Sequence, residues 1–341
     1  MSDNLNNQNI VLTGDRPTGS LHLGHYIGSI QNRIKMQDEI NDRNRMFILI
    51  ADTQALTDYF ETPEYVRNNV FQLVEDYLAC GIDPTKSCVF IQSTISALPE
   101  IAMYYLNLVT LARVERNPTV KAELQTKSFA KSVPCGFVCY PVFQAADITC
   151  VQANYVPVGE DQIPMIEQTN EIVRKFNSLY KTQVLKECKA VLGKSSRLLG
   201  IDGKAKASKS LNNCIFLNDS SEVVKKKVMS MYTDPMHIHK NDPGRVEGNM
   251  VFHYLDAFWD NANELEQLKA DYRKGGLGDV EIKNLLFKVL ESFLAEIRER
   301  RAKISKDYIK EVAYDGSRMA QIRANEVLYK IKDAMYLNFD I

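Results

Sequence analysis

Met46-Phe47-Ile48-Leu49-Ile50-Ala51 is an unbroken apolar run closed by Asp52. It is too short to cross a bilayer as a helix and lacks the alternation of a half-exposed strand, so it reads as a strand buried on both faces. Such a strand needs helices on either side, and the neighbouring sequence supplies them. Ile10-Val11-Leu12 is a shorter apolar run ended by Thr13-Gly14, after which Leu23, Ile27, Ile30 and Ile34 recur at helical spacing. Thr62-Pro63-Glu64 places a cap residue, a first-turn proline and an acid in the order that starts a helix. Val66, Val70, Leu73, Val74, Tyr77 and Leu78 form its apolar stripe, Gly81 ends it, and Val89-Phe90-Ile91 gives a third strand. Strand, helix, strand, helix, strand predicts right-handed crossovers and an α/β fold on a doubly wound parallel sheet. Ligands of such sheets bind at the carboxyl ends of the strands near the topological switch point. The first loop, from Thr13 to Gly24, is therefore where a nucleotide is expected.

Past Ser210 the pattern changes. Residues 220–231, 264–274, 280–304 and 319–334 all carry helical periodicity, separated by Asn241-Asp242-Pro243-Gly244 and Gly275-Gly276-Leu277-Gly278-Asp279. A chain of 341 residues is long for one core. The expected organisation is a Rossmann-like domain over residues 1–212 and an all-helical domain over 213–341, whose last helix is a candidate to pack back on the sheet. The net charge of −1 supplies no global field for nucleic acid, although a local basic patch needs none. Seven cysteines without a C-x-x-C pair read as thiols in a reducing compartment. The polar, acid-bearing amino terminus is unlike a signal peptide, and no apolar run suits a membrane, so a cytoplasmic protein is expected.

Two segments carry the chemistry. Gly14-Asp15-Arg16-Pro17-Thr18-Gly19-Ser20-Leu21-His22-Leu23-Gly24-His25 follows a strand and opens a helix. Backbone N–H groups and the positive helix end meet a phosphate there. Gly24 lets adenine or ribose approach the backbone, while His22 and His25 offer imidazole donors without a permanent charge. The second segment is Lys206-Ala207-Ser208-Lys209-Ser210, whose two lysines form a movable double positive charge suited to leaving pyrophosphate.

This combination resembles the class I aminoacyl-tRNA synthetases, whose signatures are H-I-G-H and K-M-S-K-S; here Leu23 and Ala207 are the departures. Val156-Pro157-Val158-Gly159-Glu160-Asp161-Gln162 looks like the V-P-V-G-E-D-Q of the tryptophanyl members, whose tyrosyl sisters share only G-x-D-Q. The resemblance runs from Val11 to about Ala334. It implies that Arg16, Pro17, Thr18, Gly24, His25, Gly159, Glu160, Asp161, Gln162, Lys206, Ala207, Ser208, Lys209 and Ser210 bind ATP, with Asp161 on the ribose. Lys121 sits where tryptophanyl enzymes carry a lysine near the phosphates. His22, His25, Lys206 and Lys209 are the implied catalytic groups.

Tyr140-Pro141-Val142-Phe143-Gln144-Ala145-Ala146-Asp147 looks like the helix that holds the amino acid, with Tyr140, Gln144 and Asp147 as contacts. Taken alone this helix fits tyrosine as well as tryptophan. Tyrosyl enzymes place a second tyrosine on the first strand; here that position is Leu12, which suits an indole. An indole N–H only donates, so the one acceptor Asp147 suffices. Residues 16–19, 54–57 and 242–249 match the spelling of a subset of bacterial tryptophanyl enzymes. The resemblance thus implies activation of L-tryptophan by ATP, with Mg²⁺ on the phosphates and no protein metal site, and transfer to tRNA(Trp). It also implies a homodimer in which the helical domain reads the anticodon. Basic runs at Lys225-Lys226-Lys227 and at Arg298, Arg300, Arg301 and Lys303 read as solvated faces, and His237 and His239 as surface residues. A tyrosyl enzyme, a small-molecule nucleotidyltransferase of the H-x-G-H type and a non-catalytic RNA-binding paralogue are the competing readings.

Overall fold

The structure is a computed structural model that describes residues 9–126, 133–192, 198–209 and 211–339. Five parallel strands form one sheet in the order β3-β2-β1-β4-β5, with β1 Val11–Asp15, β2 Met46–Ile50, β3 Cys88–Ile91, β4 Tyr155–Val158 and β5 Lys189–Leu192. Every residue of β2 is buried, as its unbroken apolar run requires. The order reverses between β1 and β4, which places the loops after Asp15 and Val158 at the switch point. β4 and β5 escape a reading by composition. Pro157 interrupts one and cannot donate to a ladder, and the other is a short, half-exposed edge strand.

The helix expected from residue 23 is interrupted. Leu23–His25 is α-helical, Tyr26–Ile30 is π-helical, and Gln31–Ile40 resumes the α-helix. Pro63–Cys80 is the helix expected between β2 and β3, and it ends on Gly81 in the left-handed region at φ 107°. No described helix is long and apolar enough to cross a membrane.

The chain divides into two compact units that differ from a single cut at residue 212. One comprises residues 1–19, 33–193 and 305–341, the other residues 20–32 and 194–304. Among the described residues, 198–209, 211 and 212 therefore belong with the helices, and residues 305–339 belong with the sheet. In the sheet unit, helix Lys306–Ala334 covers β3, the edge strand. Ile91 N–H donates to Ser317 Oγ at 3.1 Å and the Cys88 thiol donates to the Gly316 carbonyl at 3.2 Å. The helix backbone lies so close that a Cβ on Gly316 would collide with the Val89 carbonyl oxygen. An exposed strand edge is thereby capped by side-chain hydrogen bonds.

In the other unit, Ile282, Leu286, Leu290, Leu294 and Ile297 form the buried stripe of helix Asp279–Ala302, and Val224 and Val228 are buried on Ser221–Met229. Helix Met250–Phe258, unread in the sequence, adds Val251, Phe252, Tyr254 and Leu255 to the interior. The basic runs are partly neutralised: Lys227 pairs with Asp219 at 2.7 Å, Lys303 with Glu299 at 2.6 Å, and Arg298 with Glu291. His237 is buried rather than on the surface: its Nδ1 donates to Asp279 at 3.0 Å, and the Tyr272 ring lies tilted beside it with ring centroids 4.7 Å apart. Gly316→Ala is expected to lower stability by about 1–3 kcal/mol through forced separation of the helix from β3. Urea unfolding checks this, and an unchanged midpoint would contradict the packing described.

Candidate active site

The two charged signatures fold together within the helical unit. Leu23 N–H donates to the Ile215 carbonyl and Leu217 N–H to the Leu21 carbonyl, each at 2.9 Å, and His22 and Phe216 form an antiparallel bridge. Ala207 is buried opposite Gly24: a Cβ on Gly24 would lie 3.5 Å from the Ala207 Cβ and 2.8 Å from His22 Cε1. The alanine at 207 thus packs against the H-x-G-H turn. Asn213, buried, organises the lysine loop: its Oδ1 accepts Ser208 N–H at 2.8 Å, and its Nδ2 donates to Asp202 at 3.1 Å and the Lys206 carbonyl at 3.4 Å.

His22 caps the short helix, its Nδ1 accepting Gly24 N–H at 3.1 Å, and His25 Nδ1 accepts His22 N–H at 3.1 Å. With Nδ1 occupied as an acceptor, each neutral ring carries its proton on Nε2, the nitrogen able to donate to a phosphate oxygen. The rings lie 3.8 Å apart. Burial pushes the His22 pKa from 6.5 down to about 2, and the charges of His25, Lys209 and Lys206 act in the same direction. His22 is therefore a neutral donor, and the permanent charge of the site resides on the lysines.

In the sheet unit, the loop after β1 is anchored at its root. Asp15 Oδ2 accepts from Arg33 Nη1 at 2.6 Å and from Tyr77 Oη at 2.7 Å, while Arg33 Nη2 donates to the Gly14 carbonyl at 3.2 Å. Arg16 pairs with Asp58 at 2.7 Å, Pro17 is buried, and the Thr18 carbonyl accepts from Tyr65 Oη at 3.1 Å. The loop after β4 presents Gly159, Glu160 and Asp161 to solvent. A Cβ on Gly159 would stand 2.7 Å from Asp161 Oδ1, so glycine lets that carboxylate fold over the backbone. Lys121 lies on the exposed face of helix Pro118–Thr126, whose Thr119 Oγ1 donates to the Asp161 carbonyl at 2.6 Å. Ser210 lies outside the described residues.

A cavity of about 220 Å³ in the same unit is lined by Gln54, Gln92, Tyr140, Phe143, Gln144 and Asp147, among others. Three of the four residues expected to hold the amino acid meet there. Leu12 does not: it is 3% exposed and packed in the core with Phe47 and Phe90, because β1 is covered on both faces. Asp147, also 3% exposed, accepts from Gln92 Nε2 through both carboxylate oxygens, at 2.9 and 2.8 Å. Burial raises the Asp147 pKa to about 7, the Gln92 hydrogen bonds oppose that rise, and Asp52 adds to it. Tyr140 is likewise pushed up by burial and by Glu123. Gln144 Nε2 lies 3.5 Å from Gln162 Oε1, while its Oε1 is buried with no hydrogen-bond donor, an acceptor available to a ligand cation. Sequence reasoning missed Gln92, Asn213 and the Arg33–Tyr77 anchor. Gln92 alone had a signal, since it directly follows the apolar run of β3 at a carboxyl end.

Residues 4–295 match the model of the class I tRNA synthetases of the W and Y type. The chain belongs to this family. It is 54% identical over 336 residues to the tryptophan–tRNA ligase of Lactococcus lactis, covering 96% of this chain and 98% of that protein. It is 53% identical to the tryptophan–tRNA ligase of Clostridium longisporum, covering 97% of each. The tryptophanyl-tRNA synthetase of Campylobacter jejuni, solved with ADP and tryptophan, superposes with a TM-score of 0.85 at 29% identity, covering 96% of this chain and 99% of that one. The Mycoplasma pneumoniae enzyme superposes at 0.80 with 26% identity, covering 97% and 98%.

The depressed His22 pKa makes a linkage prediction. An unfolded His22 takes up a proton below pH 6.5 and the folded one does not until about pH 2, so this residue lowers stability as pH falls below 6.5. His22→Asn keeps a capping oxygen and is expected to lose less stability than the wild type between neutral and mildly acidic pH, by roughly 1 kcal/mol per pH unit. Parallel stability curves in urea would contradict it.

Proposed function

We propose that the chain activates L-tryptophan with ATP and transfers it to tRNA(Trp). The observation that carries this reading is Asp147, a buried carboxylate lining an otherwise mainly apolar cavity, in a chain more than half identical to tryptophan–tRNA ligases. An indole N–H donates to that carboxylate. The tryptophan ammonium donates to Gln144 Oε1 and lies near Tyr140. The tryptophan carboxylate oxygen attacks the α-phosphorus of ATP in line, and the bond to the bridging oxygen of pyrophosphate breaks. A hydroxyl of the 3′-terminal ribose of tRNA then attacks the adenylate carbonyl, its proton is lost, and AMP leaves. No covalent enzyme intermediate is formed, so positioning and charge stabilisation supply the rate.

His22 and His25 donate to phosphate oxygens through Nε2, and Lys206 and Lys209 take up the charge that develops on pyrophosphate. Asp161 accepts from the ribose hydroxyls, Gly159 admits the nucleotide to the backbone, and Arg16, Pro17, Thr18 and Lys121 border the phosphates. Among the described residues no cluster of three His, Cys, Asp or Glu could hold a metal. Mg²⁺ enters with ATP, on its phosphates, as part of the substrate. The helices of residues 213–304 read the anticodon, and the enzyme works as a cytoplasmic homodimer.

ATP–pyrophosphate exchange tests the assignment: exchange with tryptophan and not tyrosine is expected, and exchange with tyrosine alone would overturn it. Lys206→Ala or Lys209→Ala should lower the exchange kcat by about 10²–10³-fold, as removal of a charge-stabilising donor does. Because the ionised Asp147 is the acceptor, KM for tryptophan should fall as pH rises through the Asp147 pKa of about 7. A KM independent of pH across that range would contradict the role given to Asp147.

A further inference from the structure

The amide of Gln92 is committed at both ends. Its Nε2 donates to the two oxygens of Asp147, and its Oε1 accepts Gln54 N–H at 3.1 Å. The segment that carries it is held on both sides by the carboxyl-terminal helix. Ser317 Oγ accepts Ile91 N–H at 3.1 Å and donates to the Ala313 carbonyl at 2.7 Å. Gln321 Oε1 accepts Ser96 N–H at 2.6 Å. Next to Gln92, Ser93 N–H and Oγ donate to Asp52, at 2.9 and 2.5 Å. Gln92 is 4% exposed and sits in a segment with few conformational alternatives.

We propose that Gln92, set in place by Ser317 and Gln321 of the last helix, is a specificity-determining positioning residue that orients the Asp147 carboxylate and keeps it an ionised acceptor in the pocket. An amide has two donors and one acceptor oxygen. Here one N–H of the amide is shared between the two oxygens of Asp147 and the amide oxygen is given to Gln54, so Asp147 offers a ligand the remaining lone pairs of its carboxylate. A ring N–H, which only donates, is fully matched by these lone pairs. A phenol hydroxyl both donates and accepts, so it also bonds a protonated Asp147, whereas an indole N–H is matched only by the ionised form. Gln92 also orients the carboxylate and stabilises its charge. The titratable groups around Asp147 are Asp52, at the start of helix Asp52–Tyr59, Cys150 on its own helix, and Tyr140 on the cavity wall. None of these supplies a positive charge, and it is the Gln92 amide that favours the ionised form.

The proposal rests on tryptophan being the substrate, and its test separates the two. Tryptophan-dependent exchange is measured against pH for the wild type, Gln92→Ala and Gln92→Glu. Loss of the amide should move the pH at which KM for tryptophan falls to higher values in Gln92→Ala, and further in Gln92→Glu, while KM for ATP stays within about twofold. At neutral pH the preference for tryptophan over tyrosine, as a ratio of kcat/KM, should drop by about tenfold in Gln92→Ala, because a protonated Asp147 can donate to a phenol. A merely structural role would raise KM evenly and leave the midpoint where it is; that result overturns the proposal. Should Gln92→Ala fail to fold, Gln321→Ala, which removes the tie to Ser96 and a bond to Asn325 on the same helix, should shift the midpoint in the same direction by less. An unshifted midpoint there overturns the proposal as well. Absence of tryptophan-dependent exchange in the wild type would instead refute the substrate assignment.

Discussion

The pocket depends on one buried charge and on what is done to keep it usable. A carboxylate taken out of water prefers to be protonated, and Asp147 is almost fully buried, with a second acid, Asp52, acting against its ionisation. A protonated Asp147 would itself be a donor, and the discrimination proposed for it would weaken. The amide of Gln92, shared between both oxygens, is the counterweight. It leaves the group poised near neutrality, where a ring N–H can settle the balance in favour of the ionised form.

That counterweight is only as good as its support, and the support comes from the far end of the chain. Helix Lys306–Ala334 would in another protein be a helical appendage; here it covers the edge strand and bonds the backbone on either side of Gln92. Gly316 permits the approach, Ser317 satisfies a strand-edge N–H, and Gln321 fixes Ser96. One set of contacts therefore closes a sheet edge and rigidifies the wall of the cavity. The histidine and lysine signatures show the same economy in the other unit. The antiparallel pairing of residues 21–23 with 215–217 and the buried Asn213 hold a doubly charged loop beside the two histidines.

Much of this was legible in the residues, and what was not has identifiable causes. β2 and helix Pro63–Cys80 announce themselves through an unbroken apolar run and a capped, periodic stripe. β4 and β5 do not, because Pro157 breaks the strand signal and an edge strand four residues long has little room for a pattern. Helical periodicity at residues 319–334 predicted the last helix, but its start at Lys306 and its attachment to β3 depend on contacts more than two hundred residues apart. The motif residues were found by spelling. Their supports, Gln92, Asn213 and the Arg33–Tyr77 anchor of Asp15, have side chains that matter only through tertiary hydrogen bonds, which no spacing encodes. Leu12, chosen by its position in a relative's motif, packs in the core with Phe47 and Phe90, and that burial too is set by tertiary packing rather than by spelling.

The poised carboxylate can be tested without any catalytic step, by counting protons on ligand binding. Calorimetric titration of the protein with tryptophan at neutral pH, in two buffers of different ionisation enthalpy, reports the protons exchanged. With the Asp147 pKa at about 7 in the empty pocket, a net fraction of a proton should be released per tryptophan bound. The release should fade roughly two pH units above that value, and it should be absent in Asp147→Asn. Equal apparent enthalpies in the two buffers at neutral pH, or proton uptake, would contradict the account.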